Sequence, residues 1–188
     1  MSTIKVDTIQ TRAGASEISI TTLKADVIQH TNGTTAATID GSGRLITAAR
    51  PAFFAFQATN DWINNVSGGT TIILNSTKHN VGNHYSTSTG KFTAPVTGLY
   101  SFQFSFYVKN ASGTAKFYAS LNDTAIHYDN TGYQLVMALV QDADTNDETV
   151  GTSFTYYMNA NDTMSIVSGD SGTDYFGSMS YFSGYLIG

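Results

Sequence analysis

Residues 100–108 give the clearest strand signal in the chain, because apolar and polar side chains alternate along them without a break. One set of alternate positions is aromatic or aliphatic throughout, and it comprises Tyr100, Phe102, Phe104, Phe106 and Val108. The positions between them hold Ser101, Gln103, Ser105 and Tyr107. Successive side chains of a strand point to opposite faces of a sheet, so one face of this strand must be buried. The pattern predicts a central strand of a packed β-structure.

The residues before this strand follow a spacing that carries further information. Its members, read along the chain, are Asn80, Tyr85, Phe92, Gly98, Tyr100, Phe102 and Phe104. This spacing closely resembles the signature of the globular head of complement C1q, whose fold is shared with the tumour necrosis factor superfamily. The family usually has Phe where this chain has Leu74, an apolar residue of similar volume whose substitution costs little. Residues 50–56 and 181–188 resemble the family's first and last strands, so the resemblance covers about three quarters of the chain.

The resemblance implies a jelly-roll β-sandwich that assembles as a compact homotrimer. It also assigns a core and trimer signature to six positions: Tyr85, Phe92, Gly98, Tyr100, Phe102 and Phe104. The remaining pattern agrees with an all-β sandwich, since short alternating segments are separated by turn residues and no segment has a helical period. Further strands are predicted at residues 70–74, 114–121, 133–140, 149–158, 163–168 and 178–187.

Composition excludes several classes of partner. Charged residues make up only 12% of the chain, against the ~25% usual in soluble domains. The net charge is −5 and the basic residues are scattered, so the sequence predicts no nucleic-acid binding. There is no cysteine for a disulfide framework or a thiolate metal site. No stretch approaches the ~18 apolar residues of a membrane span, so no membrane insertion is expected. The N-terminus lacks the apolar core of a signal peptide, and synthesis in a cytoplasm is expected.

The N-terminal part differs from the rest and contains a short repeat. Residues 4–10, IKVDTIQ, recur nineteen positions later as residues 23–29, LKADVIQ. A unit this small cannot bury its apolar side alone, so it needs copies of itself or another protein. The apolar residues expected to close such a stalk or anchor are Ile4, Val6, Ile9, Ile18, Ile20, Leu23, Val27 and Ile28. With a turn and Pro51 as the boundary, the predicted domains are a β-repeat segment at 1–47 and a head at 51–188.

The opening IKVDTIQ also resembles the N-termini of structural proteins of tailed bacteriophages, several of which end in such heads. Together these features predict a phage virion protein, a trimeric short tail fibre or appendage on the surface of the particle. Its N-terminal segment would dock on other virion proteins, and its head would bind a host cell-surface glycan or protein. Two alternatives stay open: a capsid decoration or head-fibre protein with a docking role alone, and a soluble carbohydrate-binding module.

Three loops are predicted to face the host, at residues 122–130, 142–147 and 169–174. The candidate receptor-binding residues in and beside them are Asp123, His127, Tyr128, Asp129, Asp170, Asp174 and Tyr175. Trp62, Tyr128 and Tyr175 are the aromatic residues assigned to loops, where an exposed ring could stack on a sugar. Three such heads acting together would bind multivalently.

Two motifs suggest chemistry and are weighed against simpler interpretations. Asp142, Asp144 and Asp147 form an acidic loop that could hold calcium, although an EF-hand is excluded because its sixth and twelfth positions are Asp147 and Ser153. The alternative is a solvated acidic turn. Residues 169–172, GDSG, match the segment around the nucleophile of trypsin-like proteases, but the cysteine-containing context of the catalytic His is absent. The sequence therefore predicts a turn there, no catalytic residues and no enzyme activity.

Overall fold

The computed structural model describes residues 27–29, 35–47, 49–110, 114–128, 133–134, 137–141 and 148–188. They belong to two compact units, which lie within Met1–Ala48 and Ala49–Gly188. Both units are built of β-strands, and the one helix in the described ranges is a single 3-10 turn at Gly177–Met179. None of the described residues forms a helix with the length and apolar character needed to cross a bilayer.

The first unit contains a small antiparallel sheet of three strands in the order β1-β2-β3. Its strands are β1 (Val27–Gln29), β2 (Thr35–Ile39) and β3 (Leu45–Ile46). The turn before β3 is organised by Asp40, whose carboxylate accepts hydrogen bonds from the backbone N–H groups of Ser42 and Arg44. It also pairs with the Arg44 guanidinium at 2.7 Å. The backbone N–H of Arg44 and then its guanidinium hold the pKa of the Asp40 carboxyl below its usual value.

The second unit contains the remaining strands. They are β4 (Ala52–Phe56), β5 (Trp62–Val66), β6 (Ser76–Val81), β7 (Tyr85–Ser86), β8 (Lys91–Thr93), β9 (Gly98–Asn110), β10 (Thr114–Leu121), β11 (Thr124–Ala125), β12 (His127–Tyr128), β13 (Tyr133–Gln134), β14 (Met137–Gln141), β15 (Glu148–Met158), β16 (Thr163–Ser168), β17 (Thr173–Phe176) and β18 (Tyr181–Leu186).

Two sheets form a sandwich around one core. The large sheet runs β5-β17-β9-β18-β4-β6, and β15 pairs with the other edge of β9. The small sheet runs β11-β10-β16-β8-β7, and β14 pairs with β10. The order is not sequential because the chain crosses repeatedly between the sheets, as in a jelly roll. The prediction of an all-β jelly-roll sandwich is confirmed.

The structure confirms that the apolar phase of β9 is buried. The even-numbered residues of this strand from Tyr100 to Val108 are at most 1% exposed. They meet buried aromatic residues of the other strands, and Phe53 of β4 stacks on both Tyr85 and Phe92 at centroid distances of 4.9 and 5.0 Å. Burial of rings on this scale is the main source of stability that a sandwich of short strands has.

The turns follow from residues that tolerate positive φ. Asn122 and Asp123 connect β10 to β11 with φ of 50° and 65°. Gly82 and Asn83 connect β6 to β7 with φ of 78° and 57°. Two consecutive residues with positive φ are typical of the type I′ turn, whose twist matches that of the flanking strands.

Three of the predicted strands differ from the structure. Residues 70–74 were expected to form a strand, but apart from one isolated bridge between Thr71 and Val167 they are irregular. The nearby strand β6 begins only at Ser76. Its sequence, STKHNV, is mostly polar and shows little alternation of apolar and polar residues. The final strand starts at Tyr181 because a 3-10 turn occupies residues 177–179. Residues 133–140 were predicted as one strand, but the described residues form two strands, β13 paired with β12 and β14 paired with β10.

Candidate functional site

The signature spacing corresponds to a set of specific contacts inside the sandwich. The Asn80 side chain donates to the carbonyl oxygen of Tyr85 at 2.8 Å and accepts from its backbone N–H at 3.1 Å. The Tyr85 hydroxyl donates to the carbonyl oxygen of Leu74 at 3.3 Å. Burial raises the pKa of Tyr85 well above its usual value, so this hydroxyl stays protonated as a donor. These bonds tie the irregular segment before β6 to the β6–β7 turn.

The other aromatic signature residues fill the interior, and Gly98 allows the C-terminal residues to pack closely against β9. Phe92, Phe102 and Phe104 are at most 1% exposed. Tyr100 donates to the carbonyl oxygen of Val96 at 2.7 Å, and burial raises its pKa. A Cβ at Gly98 would lie 2.9 Å from both the carbonyl oxygen of Gly188 and a methyl group of Leu186. All six signature positions are therefore buried within one copy of the chain, where a second copy cannot reach them.

The surface open to a partner is the side of the large sheet that points away from the core, which we call the outward face. It is unusually rich in aromatic residues, which alternate in sequence with core residues. The outward face is formed by Phe54, Phe56, Trp62, Leu99, Tyr107, Tyr157, Phe176, Tyr181 and Tyr185. A contiguous surface with so many large apolar side chains is typical of a binding or assembly site.

Aromatic pairs hold parts of the outward face in a fixed arrangement. Phe54 and Tyr181 stack with centroids 5.0 Å apart and an interplanar angle of 16°. The Tyr181 hydroxyl accepts a hydrogen bond from the Gln103 amide at 2.7 Å. A depression of about 390 Å³ beside this pair is lined by Phe56, Lys78 and Met179 as well.

The most exposed part of the outward face is Leu99, Tyr157 and Tyr185, and we call these three residues together with Ile187, which follows β18, the base patch. Tyr157 pairs with Leu99 across β15 and β9, and the Ile187 N–H donates to the Leu99 carbonyl oxygen at 2.7 Å. Tyr157 is 63% exposed and Tyr185 52%. Four neighbouring apolar side chains on adjacent strands thus face solvent in the single chain.

Comparison with known proteins identifies the fold. The family model described as "C1q domain" matches residues 52–187, which is well over half of the chain. The chain belongs to the C1q domain family. The matched residues include the large sheet, the small sheet and the signature residues described above.

Solved structures support the same assignment at the level of fold. The globular domain of the zebrafish complement 1qA protein is 14% identical, with a TM-score of 0.56, and the match covers 74% of this chain and 98% of that one. Eiger TNF from S. frugiperda is 12% identical with a TM-score of 0.59, covering 74% and 94%. Murine APRIL is 8% identical with a TM-score of 0.53, covering 73% and 99%.

The predicted receptor loops do not meet at one end of the C1q domain. The near end is where the domain begins and finishes, since the Leu186 N–H donates to the carbonyl oxygen of Pro51 and the Leu99 N–H to that of Gly188. Asp123 lies at this near end, because Asn122 beside it binds Asp162 in the turn after β15. At the opposite, far end are residues 169–174, where Thr173 pairs with Asn110 at the finish of β9.

Several candidate loop residues have structural contacts. Asp123 pairs with Lys91 at 2.6 Å. Asp170 pairs with Lys116 at 2.9 Å. Asp174 accepts a hydrogen bond from the Asn65 N–H at 2.7 Å. These carboxylates fix neighbouring strands and turns, although Asp123 keeps a 65% exposed side chain.

The loop assignment of two aromatic residues is wrong. Tyr175 lies in β17, is 3% exposed and packs its ring edge against Phe106. Asp174 also belongs to this strand rather than to a loop. Trp62 lies in β5, where Tyr107 stacks on it at 5.8 Å and the Lys109 ammonium sits 4.2 Å from its centroid. These contacts make Trp62 a packed strand residue rather than a loop residue.

The remaining site predictions fall on parts of the chain that the structure describes incompletely. Asp142, Asp144 and Asp147, the calcium candidates, lie outside the described residues, as does Asp129. His127 and Tyr128 form the short strand β12. Within the described residues, no group of three acidic or histidine side chains could hold a metal ion. Of the proposed stalk residues, Ile4 to Leu23 lie outside the described ranges, whereas Val27 and Ile28 form part of β1 and are exposed.

The sequence analysis did not identify the residues of the outward face. Residues 52–56 read AFFAF, and aromatic side chains occur there on both phases of the strand. Phe53 points into the core while Phe54 and Phe56 point outward. A strand with large apolar groups on both phases must have both faces covered, and this signal was available in the sequence.

Proposed function

We propose that this chain is a homotrimeric virion protein of a tailed phage, a short tail fibre or appendage whose C1q domain contacts the host surface. The trimer in this proposal rests on one observation, the base patch. Its four apolar side chains lie close together on the outward face and are exposed in the single chain. Water contact at such a patch is unfavourable by ~25 cal/mol per Å² of apolar surface, so the face favours a partner.

A second copy of the chain is the partner that supplies matching chemistry. The base patch combines two tyrosines with two aliphatic residues and contains no charged group. When a three-fold axis runs parallel to the strands, equivalent residues of the three copies lie at the same level along that axis. Tyr157 on the edge strand β15 of one copy would then meet Tyr185 and Ile187 of its neighbour. Such a contact is heterologous and closes after three copies, which is one of the common symmetries of homo-oligomers.

The first unit supports a stalk made by the same three copies. Its strands are only three, five and two residues long. Val27, Ile28, Leu45 and Ile46 are all more than 40% exposed. An isolated sheet of this size has too little buried surface to be stable alone, so it favours closure against neighbouring copies.

The virion half of the proposal rests on the N-terminal repeat. IKVDTIQ and its copy resemble the anchoring segments of phage structural proteins, and they precede a compact head. Host contact is assigned to the far end of the C1q domain, because the chain enters the domain at the near end beside Pro51. Residues 169–174 lie at the far end, as do Gln141 and Glu148, which flank the predicted acidic loop. The segment at 122–130 starts at the near end, so Asp123 is not part of the proposed receptor surface.

The proposal includes no catalytic reaction. In the GDSG turn the Ser171 hydroxyl oxygen accepts a hydrogen bond from the Gly68 N–H at 3.0 Å. Asp170 beside it is paired with Lys116. These contacts serve to hold the turn against the β5–β6 connection, in agreement with a structural role.

Two experiments on phage particles test the proposal. Immunogold labelling with an antibody against residues 49–188 should place the label on the tail of intact particles. Purified full-length protein should compete with particles for adsorption to host cells, and a variant with residues 169–172 replaced by Asn-Gly should compete less well. Label on the capsid alone would favour a decoration protein, and absence of the protein from purified particles would refute the virion role.

A further inference from the structure

A second feature of the C1q domain is a cavity at the open edge of the sandwich. It lies between β5 of the large sheet and the irregular segment at residues 70–75, and its volume is about 370 Å³. Its apolar wall is formed by Ile63, Val66, Ile72 and the ring of Tyr175. Cavities of roughly 300 to 1,000 Å³ with such walls are the usual size for small-molecule sites. The cavity is separate from the outward face.

The hydroxyl of Tyr175 is the distinctive group in this cavity. Tyr85 and Tyr100, the two other buried tyrosines of the core, donate their hydroxyl protons to backbone carbonyl oxygens. The Tyr175 ring is as deeply buried, but its hydroxyl differs, because it makes no hydrogen bond within the described residues and its oxygen remains open to solvent. A solvent-accessible hydroxyl on a residue that lines the cavity is free to donate to an acceptor atom that enters the cavity.

The protonation state of Tyr175 suits a donor. Burial raises its pKa to about 12, so the hydroxyl carries its proton throughout the physiological range. A protonated phenol hydroxyl can donate one hydrogen bond.

The rim of the cavity is polar and uncharged. Gln57 accepts the Asn75 N–H at 3.1 Å, and Asn75 accepts the Ala58 N–H at 2.8 Å. These bonds use the carbonyl oxygens of the two side-chain amides and leave their NH₂ groups as further donors. None of the described residues that line the cavity is acidic or basic. A charged ligand would lose its hydration here without a counter-charge, so the lining selects an uncharged molecule.

We propose that this cavity binds a small uncharged molecule with a hydrocarbon body and a carbonyl or ether oxygen that accepts the Tyr175 proton. The hydrocarbon part packs against Ile63, Val66 and Ile72. The oxygen satisfies the Tyr175 hydroxyl, and the amide groups at the rim are available to further acceptor atoms. The site requires only the C1q domain, so it does not depend on the virion role.

Acetophenone and ethylbenzene form a matched pair of probes, since they differ chiefly in the carbonyl oxygen. Full-length protein with ¹³C-labelled isoleucine methyl groups is titrated with each probe. Acetophenone should shift the methyl signals of Ile63 and Ile72, and it should bind about fivefold more tightly than ethylbenzene, the difference expected of one hydrogen bond. Tyr175→Phe, which removes only the hydroxyl, should abolish this preference. Tyr100→Phe, which removes a buried hydroxyl remote from the cavity, should retain it.

Two results would overturn the proposal. One is a set of acetophenone-induced shifts that leaves Ile63 and Ile72 unaffected, because the probe would then bind elsewhere on the domain. The other is an unchanged preference for acetophenone in Tyr175→Phe, because the hydroxyl would then have no part in recognition. Thermal unfolding of both tyrosine variants verifies that they are folded before titration.

Discussion

The rings of Phe106 and Phe117 stack with their centroids 4.3 Å apart and an interplanar angle of 15°, and this contact joins the two sheets of the sandwich. Phe106 lies on β9 of the large sheet and Phe117 on β10 of the small one. Both side chains are fully buried. The pair is thus a direct link between the two layers.

Removal of the contact between Phe106 and Phe117 should lower the stability of the fold. Phe117→Ala leaves a cavity facing Phe106 and is expected to lower the free energy of unfolding by ~3–5 kcal/mol. Tyr118→Ala is the control, because Tyr118 is the next residue of β10, points away from the core and is only half-buried. Urea denaturation at one protein concentration measures both variants. Equal losses in the two would show that the contact between the sheets has no special weight.

A second prediction concerns Gly90, which ends the turn between β7 and β8. Its φ is +71°, and a Cβ at this position would collide with the backbone carbonyl oxygen of Ile72. Gly69 has a φ of +82° but open space around it. Gly69→Ala should therefore cost only the ~1 kcal/mol of left-handed backbone strain. Gly90→Ala adds a collision with backbone and should cost at least twice as much in chemical denaturation. A smaller effect at Gly90 than at Gly69 would contradict the predicted close approach.

The third prediction is a pH dependence centred on Asp162. Its carboxylate accepts hydrogen bonds from the Asn122 amide and the Asn159 N–H, both at 2.8 Å, and these bonds lower its pKa. A lowered carboxyl pKa stabilises the fold above the unfolded-state value of about 3.9. That stabilisation is lost as the pH falls through the folded-state pKa. Asp162→Asn should be less stable than the parent at pH 6, and the difference should shrink toward pH 2. A difference that is constant across this range would exclude the carboxylate as its source.

A fourth prediction concerns assembly through the base patch. Tyr157→Lys puts a charge into the proposed contact between copies, where it would be desolvated without a partner. The variant should sediment as a monomer at micromolar concentration. Leu139→Lys is the matched control, because Leu139 is also an exposed apolar strand residue, at 44%, but belongs to the small sheet. It should assemble like the parent. Dissociation of both variants to the same extent would argue against a specific role for the patch.

The fold could be predicted largely because its core strands alternate strongly. The even-numbered residues of β9 from Tyr100 to Val108 are apolar in sequence and buried in the structure, and on β15 the alternation places Val150 and Met158 in the core. The signature spacing is physically meaningful, since Asn80, Tyr85 and Leu74 form one hydrogen-bonded group. β6 could not be predicted in the same way, because its sequence STKHNV has polar residues on both phases and it pairs only at a sheet edge.

The candidate sites were less predictable because they depend on pairings between distant segments. Tyr175 follows a polar run and therefore resembled a loop residue, yet β17 aligns it with Val108 and Ile63 and turns its ring inward. Asp123 and Asp170 resembled members of one loop surface, but β10 and β16 cross the whole sandwich and separate them to opposite ends. Neither outcome has a local signal in the sequence.

The central claim is that three copies of the chain assemble, and sedimentation equilibrium of the unmodified full-length chain is its most direct test. The chain has a mass of 20.1 kDa. The predicted result is a single species of about 60 kDa that persists at micromolar concentration, as expected of a closed three-fold assembly. A stable species of single-chain mass over the same concentration range would contradict it.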